Sequence, residues 1–95
     1  MTPLVARLVA VVADETGISV EAIAGRDRHA PIAAARHAVW TRLRVEHGWS
    51  WPAIAREFGR DHTTVMYGVR RALANQPAPA RALVRVSVED ATRVA

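Results

Sequence analysis

"SWPAIAREFGRDHTTVMYGVRRALAN", residues 50–75, decides how the rest of the chain is read. Ser50 stands before Trp51 and Pro52. A serine whose oxygen accepts from a first-turn amide, followed by a proline that has no amide to lose, marks a helix start. The helix WPAIAREF then stops at Gly59, a residue that tolerates the left-handed backbone of a helix end. Five residues without an apolar side chain follow, Arg60 to Thr64, and a stripe of Val65, Met66, Val69 and Leu73 resumes at helical spacing. Asp61 or His62 opens this helix, which runs to about Asn75. Two helices of about eight and thirteen residues around a glycine turn form a helix-turn-helix pattern, one that plain αα-hairpins share.

Upstream, the same signals repeat. Thr2-Pro3 reads as an N-cap and first helical residue, with Val5, Leu8, Val9 and Val12 on one face and Gly17 closing the helix. Ser19 caps a short helix, VEAIA, ending at Gly25, and "GRDRHAP" is a loop with two arginines and a histidine. A longer helix is expected from about Pro31 to His47, with Ile32, Val39, Trp40 and Leu43 on one face and Gly48 ending it. Residues 1–76 therefore read as one all-α domain of five helices. Residues 77–95 read as linker and tail: "QPAPARA" is extended, "LVRVSV" alternates like a strand, and "SVEDATRVA" starts like a helix. A lone strand lacks a partner, so a short helix or disorder is the expectation.

Composition narrows the function. Ninety-five residues without cysteine exclude a disulfide scaffold and remove the usual zinc ligands. The four histidines lack metal-binding spacing, and Ser19, Ser50 and Ser87 sit where caps belong, so neither a metal centre nor a hydrolytic triad is expected, and no cofactor. No apolar run spans a membrane and the N-terminus lacks a signal peptide, so the expected place is the cytoplasm, at the nucleoid. The net charge is +4, and all 13 cations are arginine. G+C-rich coding explains missing lysines, but it does not explain where the arginines sit. A basic domain is drawn to polyanions, and the planar guanidinium fork suits phosphates and guanine edges.

The polar start of the last helix fits that partner. Helix N-termini expose free amides and a partial positive charge that attract phosphate. In a helix-turn-helix, the first turn of the second helix enters the major groove. Asp, His and Thr there can accept from cytosine, bond purine edges and touch the thymine methyl. Asp61 can equally serve as a plain cap, a role that leaves His62, Thr63 and Thr64 unexplained.

Two stretches, "AREFGRDHTTVMYGVRRA" and "VADETGISVEAIAGRDRH", together resemble the C-terminal DNA-binding domain of the bacterial replication initiator DnaA, over roughly residues 5–74. The resemblance implies a five-helix bundle with a helix-turn-helix, Trp-repressor-like in type, that binds double-stranded DNA. It places Asp61, His62 and Thr63 on base edges, Thr64 beside them or on phosphate, and Arg28 in the minor groove. Arg26, Arg36, Arg44 and Arg70 or Arg71 would contact phosphates, Arg60 would join the DNA-binding set, and the Ser50-Trp51-Pro52 turn would present backbone amides to a phosphate. Trp40 is expected in the core. Of Trp49 and Trp51, one is expected between the third and fourth helices and the other near the DNA backbone.

Departures from the family pattern shape the functional expectation. Asp27 interrupts the basic loop, and Ala34-Ala35 stand where the family carries Arg-Pro, so non-specific affinity should be weaker. The sequence contains no GxxxxGK[ST] nucleotide loop, so ATP-driven assembly is not expected of it. No paired acid and base suggests an enzyme. A small transcription regulator of phage-derived type is the leading expectation. A replication modulator at initiator-type boxes stands beside it, as does an interaction module whose tail recruits RNA polymerase or another regulator.

Overall fold

A computed structural model describes residues 1–75 of the chain. The expected tail elements, including "LVRVSV", lie outside the described residues. Within them the chain is all-helical: α1 (Pro3–Thr16), α2 (Val20–Ala24), α3 (Ala30–Val45), α4 (Trp51–Phe58) and α5 (His62–Ala74).

Local chemistry accounts for most of the boundaries. Thr2 accepts from the Val5 amide, Ser19 from Ala22, Ser50 from Ala53 and Asp61 from Thr63, so four of the five helices start on a side-chain cap. The fifth, α3, begins after His29, which makes no side-chain cap bond, with Pro31 in the first turn. Its C-terminus comes earlier than the sequence suggests. The helix stops at Val45, and the Trp49 amide reaches back to the Leu43 carbonyl at 3.1 Å past a positive-φ Gly48.

The apolar faces converge on one core. Val5, Leu8, Val9 and Val12 from α1 are buried with Ile23, Val39, Trp40, Leu43, Ile54, Phe58, Val65 and Val69. Trp40 is only 1% exposed and meets Phe58 edge to face at 5.8 Å, which joins α3 to α4. Ile32, expected on the same stripe, is only partly buried.

The contact between α3 and α5 depends on a glycine in mid-helix. A Cβ on Gly68 would lie 2.7 Å from ring atoms of both Trp40 and His37. Only a residue with no side chain lets the two helices approach this closely. At the C-terminus of α4, Gly59 adopts φ 61°, its amide bonds the Arg56 carbonyl and the Arg60 amide bonds the Ala55 carbonyl. That pair is a Schellman turn, which stops α4 and aims the chain into α5.

Candidate nucleic-acid interface

The first turn of α5 is solvent-facing throughout. His62, Thr63 and Thr64 are exposed, and the buried stripe begins only at Val65. Asp61 Oδ1 accepts from both the amide and the hydroxyl of Thr63, each at 3.1 Å, and lies 3.4 Å from His62 Nδ1. The Thr63 amide, then its hydroxyl, hold the Asp61 carboxyl below its ordinary range, with His62 adding to the effect. Capping and an outward polar display thus coexist in one residue. One turn further on, Tyr67 is 59% exposed, and its hydroxyl accepts from Arg71 at 3.2 Å. With Arg70, also exposed, these residues line the outer face of α5.

The basic loop, residues 25–29, meets the turn between α4 and α5. Arg26 Nη2 donates to the Gly59 carbonyl at 2.9 Å, and Arg60 Nη2 donates back to the Gly25 carbonyl. Asp27, which interrupts the cations in the sequence, shapes the loop instead: its Oδ1 accepts from the His29 amide at 2.8 Å, an Asx turn. Arg28 is exposed at the loop tip. Among the described residues the ion pairs are Arg42–Glu15 and His62–Asp61, so no carboxylate contacts Arg26, Arg28 or Arg60. Partial burial, then the charges of Arg26 and Arg28, lower the proton affinity of Arg60. Such a concentration of like charge makes the local potential positive.

Several residues expected at the surface are committed elsewhere. Arg36 is only 4% exposed and donates to the carbonyls of Ala22, Ile23 and Asp27 at 2.8–3.0 Å. Its guanidinium closes the C-terminal end of α2, whose last carbonyls have no partner within the helix. It is therefore not placed to meet a phosphate. Arg44 is 6% exposed, bonds the Trp49 carbonyl at 3.1 Å and lies 4.4 Å above the Trp51 ring, so its charge holds the α3–α4 corner. Trp49 packs against the core, while half-buried Trp51 supports that guanidinium. The Ser50-Trp51-Pro52 turn has less to offer an anion than expected. Pro52 carries no amide hydrogen, and Ser50 already holds the amide of Ala53.

Tyr67 and Gly68 are the residues that sequence reasoning missed. The signal for Tyr67 was its helical spacing from Thr63 and Thr64, and for Gly68 a glycine inside an apolar stripe. An open groove of about 850 Å³ lies between α3 and α5, with Ala33, Ala34 and Ala38 in its lining, and it shares Arg28, Tyr67 and Arg71 with the polar surface.

Among the described residues, no group of histidines and carboxylates could hold a metal ion, and no helix is long and apolar enough to cross a membrane. The family described as "Bacterial dnaA protein helix-turn-helix" matches residues 5–72. Over 58 residues, 60% of this chain, the sequence is 40% identical to the chromosomal replication initiator protein DnaA of Picosynechococcus sp.. The matched segment spans 13% of the length of that relative.

Proposed function

Since this chain belongs to the bacterial DnaA helix-turn-helix family, we propose that it binds duplex DNA sequence-specifically, with the start of α5 in the major groove and Arg28 in the minor groove. The observation that carries the reading is the pairing of two neighbouring features. Cations without a carboxylate among the described residues sit in the loop, directly beside a helix start whose side chains all face solvent. The first feature suits phosphates, the second base edges. Asp61, His62 and Thr63 read bases. Thr64, Tyr67, Arg70 and Arg71 border the same face and serve the backbone. Arg26 and Arg60 act within this surface through the contacts they make to each other's segments.

The biological role we infer is regulation of transcription by occupancy of a site, at the nucleoid. It requires nothing of the protein beyond selective binding.

Titration of a selected duplex over a range of salt tests the reading. Log affinity falls by about 0.9 per log salt for each phosphate neutralised. Arg70→Ala weakens specific and random duplexes alike and reduces that slope. His62→Ala or Thr63→Ala costs about 1–3 kcal/mol on the preferred site and little elsewhere. Equal affinity for every duplex, or an affinity indifferent to salt, overturns the proposal.

A further inference from the structure

We propose that Arg26 and Arg60 are positioning residues, which lock the basic loop to the helix-turn-helix so that both readers of DNA meet the duplex as one preformed body. The inference rests on the DNA-binding reading above and assigns these two arginines a task other than phosphate contact.

The geometry is reciprocal. Arg26, from the loop, donates to Gly59, the residue that turns α4 into α5. Arg60, the next residue of that turn, donates to Gly25, the residue that turns α2 into the loop. Each guanidinium leaves its own segment and binds the backbone of the other, across 33 and 35 residues of sequence respectively. Two such bonds between the same two turns resist rotation as well as separation. One bond would leave a pivot.

The second face of the loop is fixed independently. Arg36 holds the carbonyls of Ala22, Ile23 and Asp27 from beneath. The Asp27 side chain closes the tip onto the His29 amide. Both loop arginines are exposed, but Arg26 is tied to the Gly59 carbonyl, which leaves Arg28, at the tip, as the one whose side chain makes no hydrogen bond or ion pair among the described residues. Arg60 is oriented inward: it is half-buried, and its Nε is enclosed without a partner.

The consequence for binding is entropic. Two recognition elements ordered in advance relative to each other lose little freedom on binding, which raises affinity without adding a contact. Their fixed separation also fixes which minor-groove position is read together with a given major-groove site. Severing the clasp should therefore weaken the preferred duplex and relax selectivity at the minor-groove end, with the count of neutralised phosphates unchanged.

Arg26→Met and Arg60→Met, in the full chain, test this with two readouts. The first needs no DNA: amide hydrogen exchange at Gly25 and His29. Each variant should speed exchange there about tenfold, the scale of one lost charge-assisted hydrogen bond, with core amides of α1 such as Val9 unchanged. The second is the salt dependence of binding to the preferred duplex, where affinity should fall with the slope preserved. Exchange at Gly25 and His29 equal to wild type in both variants overturns the proposal. So does a slope reduced by about 0.9 per substitution, which would make these arginines phosphate contacts. If one variant unfolds, shown by accelerated exchange at Val9, the other decides the matter from its own side of the clasp. A wild-type protein that binds no duplex would sink the DNA-binding reading, while the exchange experiment would still decide whether the clasp holds the loop.

Discussion

Gly68→Ala sets two familiar effects against each other, and the structure says which wins. Replacing glycine by alanine inside a helix is ordinarily favourable, by about 1 kcal/mol. Here the new methyl would lie 2.7 Å from Trp40 Cε3 and Cζ3 and from His37 Cδ2, well inside the 3.4 Å at which ordinary contact begins. His37 is only partly buried and can turn aside. Trp40, 1% exposed and braced edge-on by Phe58, has nowhere to go. Relief must come from moving α5 off α3, which loosens Val65 and Val69, the buried apolar residues of α5. Overpacking of this kind costs about 1–3 kcal/mol, toward the upper end when the obstacle is a rigid ring. Net destabilisation of about 1–2 kcal/mol follows, a midpoint lower by roughly 5–15 °C in a domain of this size. Thermal melting followed by circular dichroism measures it. Combining the substitution with Trp40→Leu supplies the control: with the ring gone, alanine at position 68 should cost nothing beyond the tryptophan change itself. A Gly68→Ala protein as stable as wild type, or more so, would refute the close-packing argument and leave helix propensity as the whole effect.

Arg36→Met keeps the side-chain stem and removes the donors to three carbonyls. It should lower stability by about 2–4 kcal/mol, a midpoint shift on the order of 10–20 °C, whereas a residue serving only phosphates would leave the melt unchanged. His37 supplies a pH signature. Burial, then the charges of Arg36 and Arg71, lower its pKa from the ordinary 6.5, so its contribution to stability is complete above that pH and is lost as pH falls below it toward the lowered value. Stability should therefore decline on mild acidification, and His37→Asn should flatten that decline. A decline of the same size in the variant would assign it to other groups.

The helix starts were legible because capping is local. Thr2, Ser19, Ser50 and Asp61 each bond an amide two or three residues away, so the few residues around a cap carry all the information it needs. The display of His62, Thr63 and Thr64 was legible for the same reason: the polar run ends where the buried stripe begins. The arginines were not. Nothing near Arg26 or Arg60 in sequence announces that its partner is a backbone carbonyl more than 30 residues away. Carbonyl acceptors have no residue type. Arg36 and Arg44 did leave a trace: they lie four residues before and after Trp40, on the apolar stripe of α3, and a cation there must be compensated by buried acceptors. Gly68 left the same kind of trace, as a missing side chain within a row of buried ones.

The clasp between residues 25–26 and 59–60 also sets an order of events during synthesis. Chain emerging from a ribosome carries α1, α2 and the loop before the turn that holds the loop exists. Until Gly59 and Arg60 are made, the loop has its own turn and the Arg36 contacts beneath it but nothing that ties it to the α4–α5 turn. Contacts this distant must overcome the cost of closing a long segment before they stabilise anything. The clasp arrives together with the second helix of the helix-turn-helix, so a chain stalled before Gly59 lacks both. On the DNA-binding reading proposed above, the nascent chain has no complete recognition surface until both turns of the clasp exist.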